Sequence, residues 1–379
     1  MSINNDMFDV CSVKTSLNIS VVLLFLFLAA HFIACFPLFD GNVGNTIKII
    51  PGLLSFGYAF KICERTVLRN GIVIVGILSI AMLSSMAYNH NSSMRHVLWF
   101  FSYMGVAIIL YSFALSDSIL RFFIGIVVFV LMLCMLISHH ATDVLGHGVN
   151  GLSAFLVFLI FIYLLTLVRK EIVWPLYWPS LLLAITSIWT ANRSGILCAL
   201  VLFAGTLFLS IKLKRNLTLS LYLVIPLFLF IIFFYGSLNA FDYSVLSRKM
   251  NDGFLYSSRT MIWGEYVKAS LDNVWNFMFG PSRDNLKYEL MHHYNGNVHN
   301  VFFLLHSRCG VFGLGFMLLL LIKSLFMMLR NKNWYLLLLL FFVSLRGMFD
   351  WIAFPGLFDV AFFFYAIYTL DVNRYAKLR

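Results

Sequence analysis

VVLLFLFLAA, residues 21–30, and LLLLLFF, residues 336–342, are apolar at every position. A strand of a transmembrane barrel alternates apolar and polar residues, so stretches like these belong to helices with apolar surroundings on all sides. The rest of the chain has the same texture. Of its 379 residues 61% are hydrophobic and only 11% are charged, against roughly 25% charged in soluble domains. Apolar blocks of about 17 to 25 residues recur, each long enough to cross about 30 Å of hydrocarbon as a helix. Spans are predicted near residues 18–38, 46–60, 71–88, 96–115, 121–138, 150–168, 173–190, 195–211, 217–235, 299–327, 334–349 and 354–370. The expected fold is an all-α, polytopic membrane bundle of about twelve transmembrane helices, a single integral membrane domain over residues 1–379. No stretch is left for a Rossmann or P-loop domain of about 150 residues.

Two of these spans contain helix breakers. Pro51 with Gly52 interrupts the second, and Pro175 with Pro179 the seventh; neighbouring helices can satisfy the backbone groups that proline frees. The first apolar block lacks a small-residue cleavage site, so it reads as a retained span and not a signal peptide. Six cysteines lie mostly inside apolar blocks without metal-ligand spacing, and read as small buried hydrophobes.

The formal net charge of +11 reports topology first, since short cytoplasmic loops of membrane proteins gather Lys and Arg. It forms no compact basic patch of the kind that binds nucleic acid. Alternate connections carry Lys61, Arg65 and Arg69; Arg121; Arg169 and Lys170; Lys212, Lys214 and Arg215; Arg330 and Lys332; and Arg374, Lys377 and Arg379. The intervening ones, DGNVGN from Asp40, YNHNSSMR from Tyr88, HHATDVLGHGVN from His139 and ANRSG from Ala191, are nearly free of Lys. Both termini are therefore expected in the cytoplasm and ANRSG on the outer side.

One outer connection, residues 236–298, is far longer than the rest and too rich in aromatics to be disordered. Residues 260–277, TMIWGEYVKASLDNVWNF, place Trp263, Val267, Leu271 and Val274 at helical spacing. The pattern predicts an amphipathic helix on the outer membrane surface, with aromatics at headgroup depth. The alternative is a lid packed on the bundle.

The signatures of zinc proteases, serine hydrolases and P-loop enzymes are absent, as is the D-x-D pair that holds a metal-bound sugar nucleotide. With only 16 carboxylates, the expectation is chemistry without a divalent metal or any cofactor. The outer face instead offers Arg193, Arg259 and His299 as candidate catalytic residues, with Asn300, Arg308 and Arg346 as further candidate substrate contacts. Guanidinium groups bind phosphate oxygens in bidentate fashion and stay charged, so two of them suit a lipid-linked diphosphate and its departure. A histidine can take the proton of an attacking hydroxyl. Each residue also has a structural role open to it. Arg193 could snorkel to headgroups, Arg259 is one of six cations in its loop, Asn300 could cap a helix, and Arg346 could pair with Asp350 one turn away. His292 and His293 compete with His299 as base.

ANRSG at a span end, SSRTMIW (residues 257–263) in a long outer loop, and NVHNVFFLLHSRCGVFG (residues 297–313) opening the next span together resemble the O-antigen ligase and O-antigen polymerase superfamily. The likeness covers about residues 185–320. It implies a metal-independent glycosyltransferase with a GT-C-like fold, at the periplasmic face of a bacterial inner membrane. The donor would be an undecaprenyl-pyrophosphate-linked glycan. The acceptor would be another lipid-linked repeat unit for a polymerase, or the lipid A core for a ligase, and a chain-length regulator would be a possible partner. Arg193 and Arg259 match the arginines that hold the donor diphosphate, and His299 the essential histidine. The SSR-x-x-IW form, the modest loop and the 40 Phe favour the polymerase. A transporter or flippase is the remaining alternative; it would carry ionisable groups along a mid-span path, whereas most here stand at span ends.

Overall fold

The computed structural model describes residues 14–38, 41–113, 117–138, 141–146, 149–169, 177–212, 258–282, 298–350 and 352–371. Within these residues the regular structure is helical throughout and no strand occurs. The helices are α1 (Lys14–Ile33), α2 (Gly41–Ile62), α3 (Arg65–Asn89), α4 (Met94–Ser112), α5 (Asp117–Ile137), the short α6 (Ala141–Leu145), α7 (Val149–Arg169), α8 (Trp178–Trp189), α9 (Arg193–Lys212), α10 (Ser258–Leu271), α11 (Val274–Phe279), α12 (Val301–Arg330), α13 (Trp334–Met348) and α14 (Asp359–Leu370). A helix therefore stands at each expected span except 217–235, which lies outside the described residues. Five of them, α3, α4, α5, α7 and α12, are long and apolar enough to cross a membrane; α8, α13, α14 and parts of α1 and α9 are shorter apolar helices.

Burial separates the helices. On α14 every residue from Asp359 to Thr369 is buried, so this helix is wrapped on all sides and forms the bundle axis. It packs on α4, α12 and α3, and its Phe364 and Tyr365 rings meet Phe161 of α7. In contrast, α5 exposes Phe122, Phe129, Leu136 and Ile137, the apolar outer surface expected of a helix facing lipid.

Pro51 and Pro179 are both accommodated, and Pro175 lies outside the described residues. Pro51 lies inside α2, and the Ser102 hydroxyl of α4 donates to the Ile49 carbonyl beside it (3.0 Å). A side chain at Gly105 would collide with the backbone of Phe56, so the α2–α4 contact depends on small residues. Pro179 falls in the first turn of α8, where its missing N–H costs nothing.

The segment expected as one helix over residues 260–277 forms two, α10 and α11, broken at Asp272 and Asn273. Asn273 ends the first by capping the second, accepting from the Asn276 amide at 2.8 Å. Ile262 and Tyr266 of α10 pack on Val298 and Leu304, with Trp263, Ala269 and Phe303 around them. Met261, Val267, Leu271, Val274, Trp275 and Phe277 are exposed. The segment thus packs on the bundle like a lid by one face and shows apolar side chains on another.

Candidate functional site

ANRSG is the corner between α8 and α9. Ala191 takes a left-handed φ of 49°, which lets buried Asn192 turn back onto α9. The Asn192 side-chain oxygen accepts from the Ser194 hydroxyl (2.8 Å) and the Gly195 backbone amide (3.0 Å), and its side-chain amide donates to the Asn150 side chain at the start of α7 (3.0 Å). Arg193, held between these anchors, is half-buried.

The corner is gripped from α13. Arg346 is fully buried; it donates to the Ser194 hydroxyl (2.8 Å) and the Asn150 carbonyl (3.5 Å), and pairs with Asp350 at 2.9 Å. The ion pair foreseen between residues one turn apart is present. A guanidinium so committed to protein partners positions the corner, so the substrate contact read for Arg346 has a different physical basis here: it holds the loop that carries Arg193.

A second corner leans on the same end of α13. His299 has a φ of 45°, and Asn300 caps α12, accepting from the amides of Phe302 (2.9 Å) and Phe303 (3.2 Å). Its own amide donates to the Met348 carbonyl at 3.2 Å, and Val301 packs against Gly347. The helix-cap role open to Asn300 is therefore filled. Non-glycine residues in the left-handed region cost about 1–3 kcal/mol each and concentrate at functional sites. Ala191 and His299 both do so within reach of one helix end.

The third motif reaches that end as well. Arg259 lies in the first turn of α10; its side chain lies outside the described residues. One turn further, Trp263 donates its indole N–H to the Val298 carbonyl (3.0 Å) and sets its ring 6.2 Å from that of Phe349. ANRSG, the start of α10 and the His299 corner thus converge on residues 346–350. His292 and His293 lie outside the described residues.

A staple holds α10 and α11 in place. The Tyr266 hydroxyl and Nδ1 of His306 are 2.8 Å apart, and Nε2 of His306 is 2.8 Å from the Phe277 carbonyl. A carbonyl only accepts, so Nε2 carries the proton and Nδ1 receives the phenol's. Burial raises the Tyr266 phenol above its usual range, which keeps it a donor. From the end of α3, Asn89 donates to the carbonyls of Phe279 and Ser307, and Asn91, just past that end, to the Pro281 carbonyl. Gly310, at φ 63°, kinks α12 where a side chain would collide with the Met278 carbonyl.

Arg308 lies two turns into α12 and faces the loop before α14. It donates to the Phe354 carbonyl at 2.9 Å and is within electrostatic range of Asp359 and His96. Asp359 accepts from the amides of Phe354 and of Gly356 (3.0 Å), closing the loop before α14.

Sequence reasoning missed Asn150, Asn192, Ser194, Tyr266 and His306 as anchors. Three of them, Asn192, Ser194 and His306, stand inside motifs singled out for other residues. For Asn150, Asn192 and Ser194 the signal was an amide or hydroxyl at a helix end, and for Tyr266 and His306 only a polar ring inside a helix; each states a capacity to bond but not a partner. No protein-family model and no curated protein matches the chain.

Proposed function

We propose that this chain is a metal-independent glycosyltransferase that draws its glycan from an undecaprenyl-diphosphate donor, most specifically an O-antigen polymerase that hands it to another lipid-linked repeat unit. The reading places a twelve-span, GT-C-like bundle in a bacterial inner membrane with both termini in the cytoplasm and the site facing the periplasm. One observation carries it: ANRSG, the start of α10 and the His299 corner, separated by up to about a hundred residues of sequence, gather around the last turn of α13. A diphosphate held by several cations needs such a convergence.

In this reading Arg193 and Arg259 hold the two phosphates of the donor. An acceptor sugar hydroxyl attacks the anomeric carbon, its proton passes to His299, and the carbon–oxygen bond to the diphosphate breaks, the leaving oxygen being stabilised by the guanidiniums. Arg346 positions Arg193 through Ser194 and Asn150, and Asn300 fixes the backbone that presents His299. The packed and apolar-exposed faces of α10 and α11 suit a cover over a lipid-borne substrate.

The test is lipopolysaccharide banding from deletion strains carrying the gene or its Arg193→Ala, Arg259→Ala or His299→Ala form. Loss of either arginine is expected to cost on the order of 3 kcal/mol at the transition state, about a hundredfold in rate. A single capped repeat left on the core identifies the polymerase, and loss of every repeat the ligase. Unchanged banding in all three variants overturns the proposal.

A further inference from the structure

A second cluster of polar groups lies among α1, α2 and α4, away from the corners on α13. The Lys48 ammonium of α2 sits 5.8 Å from the ring centroid of Trp99, and among the described residues no carboxylate pairs with it. The Trp99 ring is 5.6 Å from that of Tyr103, which is 6.0 Å from the His31 imidazole. His31 is only 7% exposed. Its Nδ1 is 2.9 Å from the Phe27 carbonyl, so Nδ1 carries a proton and Nε2 is left to bond elsewhere. Among the described residues neither Nε2 of His31 nor Nε1 of Trp99 has a hydrogen-bond partner, although both atoms are buried. Lys48 lies close enough to His31 and to Cys35 for its charge to act on both.

Buried polar atoms normally find partners. Here an ammonium and an indole N–H, donors only, stand near an imidazole whose free Nε2 accepts. The two donors complement a ligand rich in acceptor oxygens and negative charge. Lys48 lies about 10 Å along the axis from the start of α2, at roughly 1.5 Å per residue. Ile50 and Leu98 nearby are exposed, so the cluster borders an apolar outer surface, where an acyl or polyprenyl chain would run. It is also joined to the first site. Cys35 packs against Gly151, and the adjacent Asn150 holds Asn192, beside Arg193.

We propose that Lys48 and Trp99 form a second anion site that takes the diphosphate of the acceptor lipid. This rests on the polymerase reading above, in which both substrates are lipid diphosphates, whereas a ligase needs only one such site. The shared chemistry is a lipid phosphate, and a bulk phospholipid headgroup is the other source.

Native mass spectrometry of the full chain in nanodiscs, titrated with undecaprenyl diphosphate, counts the bound lipids. Two per chain are expected for the natural sequence. Lys48→Gln and Trp99→Phe should each weaken the second binding event at least tenfold, Lys48→Arg should retain it, and Arg193→Ala should remove the other. Two lipids still bound with unchanged affinity in both Lys48→Gln and Trp99→Phe overturn the second site. Should Lys48→Gln abolish one event while Arg193→Ala changes neither, the donor reading fails and the Lys48 site stands. A single lipid, lost in Arg193→Ala, overturns the acceptor site and leaves the donor reading. A parallel titration with phosphatidylglycerol decides the source. If it displaces the Lys48-dependent lipid at equal concentration, the occupant is a bulk headgroup and the acceptor assignment is overturned.

Discussion

Cutting Asp350 away from Arg346 tests whether the last turn of α13 is the anchor of the site. The guanidinium is fully buried and has three partners: Ser194 at 2.8 Å, Asp350 at 2.9 Å and the Asn150 carbonyl at 3.5 Å. Its Nε has none. Asp350→Ala removes the only carboxylate of the set, leaving one good hydrogen bond and one long one around a buried charge. Breaking a buried pair by removing one partner costs about 3–5 kcal/mol. With Nε already unmet, we expect the middle of that range, about 4 kcal/mol, or roughly a thousandfold in the folded-to-unfolded ratio. Arg346→Met should cost a similar amount. The double variant Arg346→Met/Asp350→Leu should recover most of it, because an apolar pair of similar volume often matches a buried ion pair. The glycan transfer proposed above should stay low in the double variant, since Ser194 and Asn150 have lost their clamp. Equilibrium unfolding in mixed detergent, run as a double-mutant cycle, measures the coupling. A coupling below about 0.5 kcal/mol, or full activity in a stable double variant, would refute the anchoring argument.

Other expectations follow from single contacts. Tyr266→Phe strips the partner from buried Nδ1 of His306 and should cost about 1–3 kcal/mol; limited proteolysis around α10 would show the loosening, and an unchanged pattern would count against the staple. Asn192→Ala deletes the cap of α9 and the bond to Asn150. It should lower stability by about 1–2 kcal/mol and reduce transfer activity further than that loss explains; activity that merely tracks folded protein would show that the corner does not position Arg193. Gly310→Ala puts a side chain against the Met278 carbonyl at φ 63° and should release α11 from α12, seen as faster hydrogen exchange in residues 274–282; protection equal to the natural sequence would argue against the kink as a seat for α11.

Hydrophobic blocks alone located the helices, because a backbone in hydrocarbon must satisfy its own hydrogen bonds and the length of an apolar run then fixes the element. Gly310 illustrates the limit. Its presence in a motif was visible, but that it kinks α12 under the Met278 carbonyl depends on a segment some thirty residues earlier in the chain. The break at Asp272 and Asn273 was written in local cap chemistry and was read through, because helical spacing continues across it on paper while Asn273 turns the backbone. The exposed row of α10 differs from the expected stripe for a related reason: Trp263 packs inward while Val267 and Leu271 stay outside, a choice made by Val298 and Phe349.

The sequence by itself determined a helical chain of membrane-spanning character, and it nominated Arg193, Arg259 and His299 by side-chain chemistry. Tertiary structure alone decided that Arg346 is a clamp and Asn300 a cap, and that His31 and Trp99 keep buried groups without partners among the described residues near Lys48. The physical reason is that apolar burial is additive along a segment and can be read from it. The role of a buried polar atom is set by whichever distant atom lies within about 3 Å of it, and only the folded chain chooses that neighbour.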